Sequence, residues 1–138
     1  MPSGSNYTKF AAPVPATYLG AEWNGKVRAT YDTYTFASEA IGTTVNVGVL
    51  KPGEVFLGAI LTNAALGAST TLQLGDAGNT SRYIVATSTS SAGSITACAQ
   101  TGIGYKNSTT ADIPLYITTA GGTATGQFSI VIFKAVGN

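Results

Sequence analysis

The sequence has no histidine, which removes the commonest general base and the commonest metal ligand together, so a catalytic triad or a zinc site would need substitutes. Charge is almost as scarce: Asp, Glu, Lys and Arg make up 9% of the 138 residues, against about 25% in an average soluble domain. The net charge is +1 and the Lys and Arg residues are scattered singly. No electrostatic stripe is available to neutralise a run of phosphates, so nucleic acid is not an expected partner. The single cysteine, Cys98, excludes an internal disulfide and argues against a small disulfide-stapled secreted scaffold. No apolar run approaches membrane-spanning length, and Met1-Pro2-Ser3-Gly4-Ser5-Asn6 has neither a basic nor an apolar leader region; the expectation is cytoplasmic synthesis with no membrane partner. Gly, Pro and β-branched residues interrupt the chain too often for an amphipathic helix of about 10 to 12 residues.

What remains is apolar and neutral. Apolar residues make up 44% of the chain, enough for one domain with a real core and too short a chain for two. A surface of Thr, Ser, Asn and Gly is hydrated, yet it has little of the like-charge repulsion that keeps small proteins apart. Such a surface suits life in an assembly.

The repeated signal is short strands between turns. Residues 1–17 hold Ala12-Pro13-Val14-Pro15 and read as an extended arm, with residues 18–138 as a β-sandwich domain. Trp23-Asn24-Gly25-Lys26 carries the Asn-Gly pair of a type I′ hairpin. Val27, Ala29 and Tyr31 then alternate against Lys26, Arg28, Thr30 and Asp32 until Tyr34 and Phe36 switch phase, which predicts a bulge near Asp32-Thr33. Val45, Val47 and Val49 share a face and lead into Lys51-Pro52-Gly53-Glu54, read as the best-specified hairpin turn. Further strands are expected over Val55–Leu61, Thr70–Leu74, Ser81–Ala86, Ser94–Ala99, Asp112–Thr118 and Phe128–Phe133, with a weaker one at Ile103–Tyr105. About eight strands make a jelly-roll-like antiparallel sandwich.

Little in the sequence points to chemistry. Cys98 alternates in a strand-like segment with no histidine to ionise it, so a packed residue is the simpler reading than a nucleophile. Six carboxylates, Glu22, Asp32, Glu39, Glu54, Asp76 and Asp112, would allow the facing pair that a glycosidase needs. Glu54 follows a Pro-Gly turn, however, and Asp76 in Gly75-Asp76-Ala77-Gly78-Asn79 sits where Asx side chains cap turns. Two grouped oxygens there fall short of the six or more that calcium needs. Neither catalysis, a metal nor a cofactor is expected.

The aromatic residues suggest contact instead. Tyr7, Phe10, Tyr18 and Trp23 lie on or beside the arm with Pro13 and Pro15, where local apolar neighbours are few, so these residues should anchor in grooves of this domain or of another subunit. In the last strand Phe128, Ile130 and Ile132 face one way and Val131 and Phe133 the other. A two-layer sandwich covers only one face of each sheet, so Phe128, Val131 and Phe133 join the candidate interface residues and a symmetric homo-oligomer, a trimer, is expected.

The segment Lys51-Pro52-Gly53-Glu54-Val55, with Leu66-Gly67-Ala68-Ser69-Thr70-Thr71-Leu72-Gln73-Leu74-Gly75-Asp76-Ala77 and Ser81-Arg82-Tyr83, resembles small head decoration (cement) proteins of tailed bacteriophages. The resemblance spans roughly residues 44 to 100. It implies a compact β-sandwich, often trimeric, on the outer capsid surface of the virion, clamping neighbouring major capsid protein subunits. A rival from another class is a receptor- or glycan-binding module of a tail fibre, in which Trp23 or loop tyrosines would stack on sugar rings.

Overall fold

The computed structural model describes residues 26–136. The arm over 1–17, its boundary with the domain and the Asn24-Gly25 turn lie outside them. Eight strands follow in order: β1 (Lys26–Glu39), β2 (Thr44–Leu50), β3 (Val55–Asn63), β4 (Thr71–Asp76), β5 (Asn79–Ser88), β6 (Gly93–Ile95), β7 (Ile113–Ala120) and β8 (Ala124–Val136). They form two four-stranded sheets, β1-β8-β3-β6 (sheet A) and β2-β7-β4-β5 (sheet B), and every named pairing is antiparallel. The chain changes sheet at each connection except β4–β5, which is the winding of a jelly roll. The sandwich expected from the sequence is the fold the chain adopts.

The core lies between the sheets. Phe128, Ile130 and Ile132 of β8 meet Val47, Leu72, Leu74, Leu115 and Ile117 of sheet B, all buried, and a fully buried side chain of this kind stabilises by about 1.5–3 kcal/mol. The Phe36 ring lies tilted 5.4 Å from Phe128, and Tyr34 packs edge-on 5.2 Å from Phe36. At the other side Phe56 lies 4.4 Å from Tyr83.

Four local expectations are corrected. Lys51-Pro52-Gly53-Glu54 does turn, with Gly53 at φ 84° and the Glu54 amide donating to the Lys51 carbonyl at 3.0 Å, but it joins β2 of sheet B to β3 of sheet A and is not a hairpin. Its main chain bonds to Asn107 instead of a ladder: the Gly53 amide donates to the Asn107 carbonyl and the Asn107 amide to that of Glu54. The bulge of β1 lies between Ala37 and Glu39, at Ser38 with φ 63°, and not near Asp32-Thr33. Tyr34 and Phe36 keep the phase of Arg28 and Asp32; what changes along that face is the cover from sheet B, which begins at Phe36. The strand expected over Ser94–Ala99 ends at Ile95, and Ile103–Tyr105 lies in a loop that clips onto Phe56 through Tyr105. There the glycines favour turns over a ladder.

Gly75 marks the tightest approach in the β4–β5 hairpin. A Cβ at this position would sit 2.1 Å from the Thr80 carbonyl carbon and 2.3 Å from the Asn79 oxygen, so Gly75→Ala must push β4 and β5 apart. The expected cost is about 1–3 kcal/mol, measured as a lower denaturant midpoint; an unchanged midpoint would show that the hairpin yields freely.

Candidate interaction surface

Cross-strand partners share a face, so the registers assign the outer side of sheet A. Val27, Ala29, Tyr31 and Thr33 of β1 pair with Ala135, Phe133, Val131 and Ser129 of β8. Those pair in turn with Val55, Gly58, Ile60 and Thr62 of β3. None of the twelve is charged, although Lys106, bridged to Val55, brings one exposed cation to the margin of this side; the apolar ones include Val27 at 61%, Tyr31 at 69% and Ile60 at 41% exposure. Val131 and Phe133 are half-buried there. Leu57, the extra residue where β3 bulges against β8, is also exposed.

Sheet B is different. Its outer side carries Thr44 and Asn46 of β2, Tyr116 and Thr118 of β7 and Gln73 of β4. Apart from Thr118, whose hydroxyl is buried without a partner, the hydroxyls and amides there can hold water, whereas the outer side of sheet A has hydroxyls only at Tyr31, Thr33, Thr62 and Ser129 among its twelve paired residues. The domain is therefore two-faced, and its apolar face is the candidate for docking.

Of the residues singled out by sequence, Tyr7, Phe10, Pro13, Pro15, Tyr18 and Trp23 lie outside the described residues. Val131 and Phe133 stand on the outer side of sheet A, as their alternation with Ile130 and Ile132 implied. Phe128 does not: it is 1% exposed in the core of its own domain. Val27, Tyr31 and Ile60 were not singled out, because only the register with β8 shows that they join Val131 and Phe133.

A hollow of about 220 Å³ opens at one end of this face, lined by Tyr31, Thr62, Asn63, Gln127 and Ser129 among others. Its amide donors are engaged within the domain. Asn63 Nδ2 donates to the carbonyls of Ala64 (2.7 Å) and Ser91 (2.9 Å), and Gln127 Nε2 to Thr33 Oγ1 (2.9 Å).

The described carboxylates hold the fold. Asp76 Oδ1 accepts from the amides of Gly78 (2.9 Å) and Asn79 (3.0 Å), as expected of a turn cap. Its Oδ2 also accepts from Arg82 Nε (2.6 Å) and Tyr83 Oη (2.9 Å), with Arg82 stacked over the Tyr105 ring. Burial pushes the Asp76 carboxyl up, but the Arg82, Tyr83 and amide donors outweigh it and hold it below its ordinary value. Burial also drives the Tyr83 phenol upward, helped by Asp76, so it stays a donor. Glu54 Oε2 accepts from Lys134 Nζ and from the Lys51 amide, both at 2.8 Å. Burial raises Glu54, and these donors with the charges of Lys134 and Arg28 bring it below its ordinary value. Asp112 pairs with Lys51, and Glu39 accepts from Tyr34 Oη. Cys98 is half-buried in a loop, its sulfur 3.3 Å from the Ala59 amide. Among the described residues no three His, Cys, Asp or Glu side chains gather as a metal site would require.

No protein-family model matches the chain, nor does any curated protein. Solved structures do share its fold. A chain of the cyanophage Pam1 capsid asymmetric unit is 24% identical with a TM-score of 0.69, the match covering 99% of each chain. A chain of the capsid of Ralstonia phage GP4 is 20% identical with a TM-score of 0.64, covering 82% of this chain and 86% of that one.

Proposed function

We propose, from a jelly roll held in common with chains of two phage capsids, that this protein is a non-catalytic structural subunit of a phage virion. Within that role it is a decoration (cement) protein, made in the host cytoplasm, that seats as a homotrimer on the outer surface of the head and clamps neighbouring major capsid protein subunits. The observation that carries the reading is the uncharged, largely apolar patch that β1, β8 and β3 form on the outer side of sheet A, set against the hydroxyl- and amide-bearing side of sheet B. A stable clamp needs about 1,200–2,000 Å² of well-packed contact whose centre is depleted of charge, and the outer side of sheet A has that composition. The candidate interface residues on the arm, Tyr7 and Phe10, and beside it, Tyr18 and Trp23, would add aromatic anchors.

The test is co-sedimentation of the full chain with undecorated capsids. Ile60→Asp places a charge in the middle of the apolar side without touching the core, and should weaken capsid binding at least tenfold while the melting midpoint stays within a few degrees. Deleting residues 1–17 should also weaken binding. Undiminished binding by Ile60→Asp would move the docking surface elsewhere. A glycan-array signal without capsid binding would favour the receptor-binding module instead, against which the engaged amides around Tyr31 already weigh.

A further inference from the structure

β1 is an edge strand, with β8 on one side and, among the described residues, no strand on the other. Natural edges are usually short, bulged or broken by proline. β6 has three residues and the pairing of β5 is irregular. β1 instead keeps an unbroken register with β8 from Lys26↔Val136 to Ala37↔Thr125.

The direction of its free hydrogen-bonding groups follows from the neighbouring ladder. The Ala64 amide takes the Gln127 carbonyl from the β3 side. Main-chain groups alternate along a strand, so those of odd-numbered β8 residues turn to β3 and those of even-numbered ones to β1. Their β1 partners are even-numbered, which leaves Val27, Ala29, Tyr31 and Thr33 presenting N–H and C=O outward. Thr33 bears this out: its amide donates to its neighbour's side chain, Asp32 Oδ1, at 2.8 Å.

We infer that this edge is self-complementary, and that two copies of the chain pair antiparallel through β1 about a two-fold axis at Thr30. In that register Arg28 of each copy faces Asp32 of the other, and Ala29 faces Tyr31. All outward main-chain groups from Val27 to Thr33 then meet a partner. A lone charge on an edge discourages pairing, but opposite charges four residues apart cancel when the strand meets itself. Centring the axis on Arg28 or on Asp32 would instead oppose like charges. The contact is isologous and closes on itself, so it joins two single copies or one trimer to the next. It also sets two apolar outer sides next to each other on one continuous eight-stranded sheet. Its occupant is a second copy of this chain.

At the axis the two Thr30 residues form a non-hydrogen-bonded pair, the closer of the two antiparallel kinds, with Cβ separations that a disulfide can span. The experiment uses the full chain without capsids, so its outcome is independent of the docking reading. Thr30→Cys in a Cys98→Ser background is oxidised and run on a non-reducing gel beside Ile41→Cys, another exposed position, in the loop after β1. The Thr30 variant should cross-link at least tenfold faster. Adding Arg28→Asp should remove most of that advantage, as should Asp32→Arg, and combining both reversals in one chain should restore it. Arg28, Thr30, Asp32 and Ile41 are exposed and Cys98 is half-buried, and the melting midpoint of each variant checks its fold. Cross-linking no faster than at Ile41, or rates indifferent to the single reversals, would overturn the pairing. So would equilibrium sedimentation in which Arg28→Asp has the mass of the parent at every concentration.

Discussion

Asp76→Ala is expected to cost about 3–5 kcal/mol of folding stability, the range for breaking a buried ion pair by removing one partner. The carboxylate ends the β4–β5 hairpin and collects donors from the Gly78 and Asn79 amides, from Arg82 and from Tyr83. Alanine leaves the fully buried Tyr83 hydroxyl without its acceptor and Arg82, whose side chain is only 21% exposed, without its counter-charge. Against a total stability of about 5–15 kcal/mol this is a large fraction, and the melting midpoint should fall by roughly 10 °C or more. Asp76→Asn keeps an oxygen for the two amides but loses the charge, and should fall between alanine and the parent. If the alanine variant melts within 2 °C of the parent, the cluster is not what fastens this end of the sandwich.

Lys134→Met should cost about as much, roughly 3–5 kcal/mol, at the opposite end of the stability problem. Lys134 lies on the core side of β8 and its ammonium reaches the Val49 carbonyl of β2 and Glu54 Oε2, each at 2.8 Å, tying sheet A to sheet B. Its side chain is 8% exposed and that of Glu54 4%, so removing the lysine strands a buried carboxylate. Adding Glu54→Gln removes that charge and retains an oxygen for the Lys51 amide. The double variant should therefore regain much of the loss in a denaturant midpoint. A double variant no better than Lys134→Met alone would mean that the lysine acts through packing and the Val49 carbonyl, not through the ion pair.

Both carboxyls titrate below their ordinary values in the folded chain, which fixes the sign of the acid response. In the unfolded chain they return to about 4. The stability they contribute is fully present above that value and is lost as pH falls through the lower folded values. With no histidine in the chain, the midpoint should stay nearly level from about pH 7 to 5 and decline below about 4. Asp76→Asn should flatten part of that decline.

Much of the architecture was legible in the sequence. Period-two alternation in Val45-Asn46-Val47 and Val27–Asp32, the short apolar run Phe128–Phe133 and the turn residues between segments determined that the chain is all-β and of jelly-roll size. The double apolarity of β8 determined that one of its faces would need cover beyond a two-layer sandwich. The turn at Asp76 was legible for the same local reason, since an Asx side chain bonds amides two and three residues away. Pairing is not local. Lys51-Pro52-Gly53-Glu54 specifies a reversal but not whether the next strand returns to the same sheet, and only packing sent β3 to sheet A. The Asp76–Arg82–Tyr83 cluster and the Glu54–Lys134 tie join residues whose meeting depends on register and sheet stacking. Alternation puts Phe128 and Val131 on opposite faces of the strand, but only packing against sheet B decides which face is the core. The sequence by itself thus determined that this protein has apolar surface to hide. Only the tertiary structure decided where, because the outer side of sheet A draws its residues from three strands far apart in the chain.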